Sequence, residues 1–478
     1  MSRSWVFLIK NCLLKLKMEA ETMSNTEMGQ GSSADEDAPD GGWGWIVCFA
    51  VGISQITILP AMQQFDLIYK DHLEHLGLTS AQIGAIINTS NALSYLVAVI
   101  SGPLFRMFSF RTVGVGSAML VSFALFLTAL SKSFPAYMLG FGVLFGASIG
   151  LSLTTGTIIL NTYFFRKRRL ANGVSWALAS IGPFIMPYVT NLLLARFGVK
   201  GTVLVLSAIS INSAVCALSF QPVSWHITRE KLKTYCNPRT KSPEVSEPVD
   251  AQGIESSSQV LSAHSKPLKE EISKRTSILR RIARNFDLDL FKDFNYVITI
   301  FGLSIADFAE MNFNILMPSV LDKIGFTGAE IVTLLTLIAL MDCCMRLLVP
   351  ILVEKLGWKN RSCYLMGVVI MAIGRAILAY SKKYSVVFYT SFLIGFGKAV
   401  ITVFLNLVTP SCVTIKRLPA ATGIQMTMTG IFAVTGGPLV VIIKDKCSTT
   451  VLLHSLNVLT CVTVVLWSWQ YIFCKKRQ

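Results

Sequence analysis

This chain is poor in charge. Only 15% of its residues are Asp, Glu, Lys or Arg, 53% are hydrophobic, and mean hydropathy is +0.57. Soluble globular domains carry about 25% charged residues, so this composition excludes an ordinary water-soluble fold. Histidine is equally sparse: His72, His75, His226, His264 and His454 are scattered without the spacing of a metal set. There is no Gly-Lys-Ser phosphate loop, which argues against ATP-driven pumping. The 11 Cys lie dispersed among apolar runs, linker and tail, so neither a disulfide framework nor a zinc centre is expected. No cofactor, no metal and no enzymatic chemistry are expected. Acidic residues number 27 against 43 basic ones, a net charge of +16. The basic residues sit at the ends of apolar runs rather than on one soluble face, so nucleic acid is not the expected partner.

What the chain has in abundance is apolar runs of membrane length. A spanning helix needs about 20 largely apolar residues. Such runs start near Gly44, Ala81, Thr112, Ala136, Leu170 and Gly201, and again near Phe294, Ala329, Ser362, Ser385, Pro419 and Val451. The expected fold class is all-α: a polytopic protein of the lipid bilayer with twelve transmembrane helices in two pseudo-symmetric six-helix halves, 40–220 and 293–473. Alternate short loops carry Arg106 and Arg111, the run Arg166 to Arg169, then Lys355, Lys359 and Arg361, then Lys416 and Arg417. By the positive-inside rule both termini are expected in the cytoplasm. Asn360-Arg361-Ser362 is a glycosylation sequon that this topology leaves on the cytoplasmic side, unused.

Residues 1–39 read as a cytoplasmic tail without a cleavable signal peptide, and 474–478 as a second tail. Residues 221–292 are rich in Ser, Pro and charge, so they read as a disordered cytoplasmic linker. The stretch from Lys274 to Phe286 reads either as a basic amphipathic helix on the inner leaflet or as a solvated charged helix.

The two halves share a weak repeat. Gly102-Pro103-Leu104 leads to Arg106 and Arg111; Pro350-Ile351-Leu352 leads to Glu354, Lys355 and Lys359. This spacing resembles the loop signature of the major facilitator superfamily, whose charged loop residues hold the halves together in one state. Arg106 stands where that family usually has an acid, a departure that bears on its ion pairing. A longer resemblance opens the first helix. Asp40-Gly41-Gly42-Trp43-Gly44-Trp45 resembles the first signature of the monocarboxylate transporters, a branch of that superfamily. Its physical reading is an Asp that caps helix one, glycines that permit close packing, and Trp rings at the interface. The second signature is similarly visible from Tyr163 through Arg166, Arg169 and Gly173 to Gly182. The resemblance covers about residues 39–475.

One pair of charges interrupts the eighth run. Asp342 and Arg346 stand four residues apart between Thr333 and Pro350, with no other charge between those limits. They share one helix face. A charge at the bilayer centre costs roughly 2.5–3.5 kcal/mol, so such groups usually line a bundle interior. Two readings are open: an ion pair that staples helices, or a translocation site. The resemblance implies the second, with Arg346 binding a substrate carboxylate and Asp342 carrying a coupled proton. Charge compensation by Arg346 keeps Asp342 ionised, and a carboxylate that takes Arg346 raises the proton affinity of Asp342.

The family's helix-one Lys is absent. Its place, eighteen residues after Trp45, is held by Gln63, expected to face the cavity. This departure argues against simple lactate–proton symport and favours a divergent substrate or a different coupling. Asp307 and Glu310 lie three apart in the seventh run, either lining the cavity or on a wet outer face. Lys398 and Arg375 are further intramembrane bases, and either is a partner for Asp307 or Glu310. Phe404 falls where the family has an aromatic residue that shapes the pocket.

The expected function is secondary active transport of monocarboxylates or related small organic acids or zwitterions across the plasma membrane, with proton coupling one option. The alternatives are a carrier for an amino-acid-, creatine- or carnitine-like solute, and a non-transporting membrane sensor on a carrier fold. The resemblance also implies a single-span accessory glycoprotein as a partner.

Overall fold

A computed structural model of the chain describes residues 39–226 and 286–477. The N-terminal tail, most of the expected linker and its basic stretch from Lys274 lie outside the described residues.

Among the described residues, eleven helical segments are long and apolar enough to cross a membrane. One of them, Arg168–Leu218, is 51 residues long. At 1.5 Å per residue that is about 76 Å, more than twice a hydrocarbon core of roughly 30 Å. The segment breaks at Gly198, whose φ of 61° and ψ of −175° suit only a residue without a Cβ. It is long enough for two crossings, and such a division fits the expected twelve. They are α1 (Trp43–His75), α2 (Ala81–Met107), α3 (Phe110–Leu130), α4 (Phe134–Tyr163), α5 (168–197) and α6 (199–218). The second half holds α7 (Phe294–Ile324), α8 (Gly328–Leu356), α9 (Asn360–Tyr380), α10 (Tyr384–Cys412), α11 (Leu418–Lys446) and α12 (Thr449–Arg477).

Local chemistry sets several of the boundaries. Thr79 with Gln82 and Thr327 with Glu330 form reciprocal capping boxes at the starts of α2 and α8. Ser109 caps α3 and Asp293 caps α7. Pro60 precedes a break in α1 at Gln64, since proline removes a helical donor and crowds the turn before it.

Each half buries its own apolar core and turns large hydrophobic side chains such as Phe123, Phe126, Val458 and Val465 outward, where lipid solvates them. Small residues bring backbones close. A Cβ added at Gly150 of α4 would lie 2.1 Å from the Ser94 carbonyl oxygen of α2, and one at Gly395 of α10 would lie 2.7 Å from that of Ile338 in α8.

The halves meet along two seams. At α5 and α8, Gly173 lies so near that a Cβ would stand 2.5 Å from the Arg346 carbonyl oxygen. At α2 and α11, Ser101 Oγ donates to the Pro419 carbonyl at 2.8 Å, and a Cβ at Gly423 would stand 2.4 Å from the Ala98 oxygen. Further inter-half bonds lie toward the end of the bundle that holds both helix termini Trp43 and Arg477. Arg169 donates to Asn360 Oδ1 and to the Trp358 carbonyl, both at 2.7 Å, and Asn161 Nδ2 donates to the Asn406 carbonyl at 3.3 Å. The sequon residue Asn360 is thus engaged at the seam. At the opposite end no hydrogen bond or ion pair joins described residues of the two halves. The bundle is sealed at the terminal end.

Three expectations are corrected here. Asp40 does not cap α1, whose N-cap is Gly42 without a side-chain bond. Its carboxylate instead accepts the backbone N–H groups of Phe165, Arg166 and Lys167 at 2.8–3.2 Å, at the start of α5. Its own backbone sits at φ 50°, which turns the carboxylate away from α1 and toward that loop. Second, the linker is ordered at both margins: Val223–Trp225 and Leu288–Lys292 form 3₁₀ turns. His226 stacks on Trp43 at 5.3 Å, and Asp287 pairs with Arg106, so each margin is pinned by a specific contact. Third, Arg106 is ion-paired despite its departure from the family pattern, its acid Asp287 coming from the linker margin just before α7 rather than from the loop motif.

Candidate functional site

Asp342 is the middle residue of the 29-residue α8, so it sits at mid-membrane depth. Its two carboxylate oxygens take one edge of a single guanidinium. Arg346 Nε donates to Oδ1 and Nη2 to Oδ2, each at 2.7 Å. The third guanidinium nitrogen, Nη1, donates across the interface to the Trp176 carbonyl at 2.9 Å, and the guanidinium carbon stands 5.9 Å from the Trp176 ring centre. Asp342 is 3% and Arg346 7% exposed. A bidentate pair in which each of the three guanidinium nitrogens donates a hydrogen bond meets the conditions under which two charges persist in a low-dielectric interior. The arrangement spans both halves, because α8 supplies the charges and α5 the acceptor.

A second base reaches the same carboxylate. Lys398 is the middle residue of the 29-residue α10. Its Nζ lies 3.8 Å from Asp342 Oδ2, and its side chain is 26% exposed against 4% for that of Asp342. Lys398 thus partners Asp342 by contact, where the sequence suggested Asp307 or Glu310. The missed signal was depth: Asp342 and Lys398 are each central in their own apolar run, and groups at one depth on neighbouring helices can meet.

Behind this pair lies a buried cluster. Glu310 is 6% exposed, which removes the reading of a wet outer face for it. One of its oxygens accepts from Asn314 Nδ2 at 3.0 Å, and the other, Oε2, has no partner. Glu310 lies within electrostatic reach of Arg375, Lys398 and Asp342. Arg375 is fully buried, its guanidinium 5.4 Å from the Phe313 ring centre, and none of its three nitrogens has a hydrogen-bond partner. Asp307 lies half-buried beside Thr429 of α11.

Two further residues are not brought to this place. Gln63 ends the first segment of α1 and is exposed. Helical rise puts it about 30 Å from the start of α1, against about 21 Å for Asp342 from either end of α8, so it lies nearer the end opposite the helix termini Trp43 and Arg477. Its neighbour Gln64 is buried and accepts from Thr190 Oγ1 at 2.5 Å. Phe404 is fully buried in the core of the second half and lines no open space in this conformation. Its spacing in α10 turns it into the apolar face.

The two signature stretches meet each other. Beyond the Asp40 bonds, the Asp40 N–H donates to the Tyr163 carbonyl at 3.2 Å, and Trp45 packs edge-on to Phe164 at 5.1 Å. Gly44 leaves just the space that the Phe164 ring fills, since a Cβ there would be 3.0 Å from Cζ. Trp43 Nε1 donates to the Ser219 carbonyl at 2.9 Å, so both Trp rings lean into the protein. The Gly41 and Gly42 carbonyls close the first turn of α1 on Gly44 and Trp45, while the Arg166 N–H joins that turn to the start of α5 through Asp40.

The sequence profile of the Major Facilitator Superfamily matches residues 44–437, and a second time 299–474. The chain belongs to that superfamily. Within it, the mouse monocarboxylate transporter 2 is 27% identical over 371 residues, covering 75% of this chain and 70% of that protein. The mouse monocarboxylate transporter 9 is 22% identical over 446 residues, 85% of this chain and 88% of that protein. Among solved structures, the human organic anion transporter MFSD10 (TETRAN) superposes with a TM-score of 0.60 over 88% of this chain and 99% of that one, at 14% identity. That likeness establishes the fold alone. This major facilitator protein is a membrane transporter and not an enzyme, related to the monocarboxylate transporters.

Proposed function

We propose that this transporter carries a small carboxylate-bearing solute, and that the solute's carboxylate binds at Arg346. The observation that carries the reading is the buried Asp342–Arg346 pair at mid-membrane depth, bridged to Trp176 of the other half. A carrier site near the midplane at the interface of two repeats is what alternating access requires. A solute carboxylate that competes for Arg346 displaces Asp342 or the Trp176 carbonyl, so binding is felt in both halves. The name of the relatives points to the same solute class.

Charge balance favours proton coupling. The interior of the second half holds three acids, Asp307, Glu310 and Asp342, and three bases, Arg346, Arg375 and Lys398. With all six ionised the group is neutral. A bound monoanion adds one uncompensated negative charge at low dielectric, and one proton on a carboxylate removes it. Cytoplasmic placement of both termini fits the basic run from Arg166 to Arg169 at the terminal end.

The test is uptake of labelled monocarboxylates, amino acids and creatine- and carnitine-like zwitterions by cells expressing the protein, at pH 6 and pH 7.5. Saturable uptake of a carboxylate that is lost in Arg346→Leu at equal surface expression supports the reading. Normal uptake by Arg346→Leu would make the pair a structural staple.

A further inference from the structure

We propose that Lys398 is the second cation of the substrate site, and that with Arg346 it forms a two-cation clamp for a single carboxylate. The inference rests on the carboxylate reading above and deepens it by naming a specificity-determining residue. The sequence left the clamp one base short, because Gln63 stands where a helix-one Lys is usual in the relatives' family. The structure supplies a base from a different helix in the opposite half.

Four observations converge. Lys398 occupies the centre of α10, where an ammonium costs roughly 2.5–3.5 kcal/mol and is retained when it lines a wet or polar path. Asp342 has no need of it for neutrality, since both carboxylate oxygens already accept from Arg346 at 2.7 Å. At 3.8 Å the ammonium is in ion-pair range of Asp342 but outside hydrogen-bond range, and Lys398 donates no hydrogen bond to a described residue. Finally, its side chain is 26% exposed against 8% for that of Arg346, so it is the more accessible cation. An ammonium with three open donors, partly exposed and held beside an already satisfied ion pair, is arranged to receive an incoming anion.

The competing acceptor is Glu310. Lys398, Arg375 and Asp342 all act on it, and Asn314 occupies one of its oxygens. Arg375 is the fully buried cation on that side, so Glu310 keeps a countercharge when Lys398 turns to a ligand. The clamp fits a monocarboxylate. Counted locally, Arg346, Lys398 and ionised Asp342 carry one net positive charge that a monoanion matches and a dicarboxylate overshoots; the net negative charge left on Asp307, Glu310 and Arg375 is what the coupled proton then removes.

The probes are acetate, pyruvate, lactate and butyrate, each paired with its amide, and succinate as the dianion. Binding is read by thermal stabilisation of the purified full-length protein, and transport by the concentration dependence of uptake. In the native protein at least one monocarboxylate should stabilise and enter, while its amide does neither. Lys398→Gln should raise KM for that monocarboxylate at least tenfold and abolish the acid-over-amide preference; Lys398→Arg should restore both to within about threefold. Lys398→Met takes the place of the glutamine variant where the latter fails to reach the surface. An unchanged KM in Lys398→Gln or Lys398→Met would overturn the clamp while leaving the carrier reading intact. Equal loss in Lys398→Arg and Lys398→Gln would also overturn it, by assigning Lys398 a role fixed by shape. Failure of every carboxylate to bind or enter the native protein would instead sink the underlying reading.

Discussion

Gly173 offers the sharpest perturbation, because it packs at the seam between the halves, against the backbone of Arg346, and carries no side chain of its own. In Gly173→Ala the new Cβ would stand 2.5 Å from the Arg346 carbonyl oxygen and 2.7 Å from Pro350 Cγ. Carbon atoms rest about 3.5–4.0 Å from their neighbours, so α5 and α8 must part by about 1 Å. A backbone oxygen and a proline ring cannot rotate aside, and overpacking of this kind costs about 1–3 kcal/mol. The clash lies between halves, so separation at the terminal end relieves it without unfolding either one. An energy of about 1–3 kcal/mol corresponds to a roughly 5–150-fold shift between sealed and open states. The assay is thiol labelling at Asn406→Cys, a position 6% exposed at the sealed end, where the inter-half bond uses only the Asn406 backbone carbonyl. Labelling should accelerate by that factor in Gly173→Ala, measured against the parent with its natural cysteines alone. Gly156→Ala is the control: its Cβ would meet Val51 Cγ1 at 2.9 Å, a side chain within the same half. Equal labelling in Gly173→Ala and its parent, with both at the surface, would refute the seam as a sealed gate.

Other outcomes follow from the same geometry. Asp40→Ala removes the acceptor of three backbone N–H groups and should lower stability by about 0.5–2 kcal/mol, the usual worth of a helix cap, seen as a fall in Tm that Asp40→Asn partly recovers. Glu310→Gln and Arg375→Met should each destabilise by stranding the other buried charge. The double variant should be less harmful than the sum, with a coupling of about 0.5–3 kcal/mol in a double-mutant cycle of thermal unfolding. Strict additivity would show that the two groups do not compensate each other.

Much of the architecture was legible in order along the chain. Apolar run length gave the crossings because a bilayer demands a fixed helical span, and the one ambiguous stretch, Arg168–Leu218, is divided by a single Gly198. The Asp342–Arg346 contact was legible for the same reason: residues four apart on a helix are neighbours wherever that helix lies. Asp40 misled because a short acid before a helix reads as its cap, while the chain turns at Asp40 and offers the carboxylate to a loop 125 residues away.

Sequence alone therefore determined the class, the helices and the ion pair internal to α8, all governed by local periodicity and the solvent that surrounds them. Tertiary structure alone decided which helices lie side by side. It set Lys398 against Asp342, Arg346 against Trp176, and Asp287 against Arg106. Those contacts depend on depth and rotation of separate helices. An apolar run specifies neither, because lipid solvates every face of it almost equally and only packing against particular neighbours chooses one.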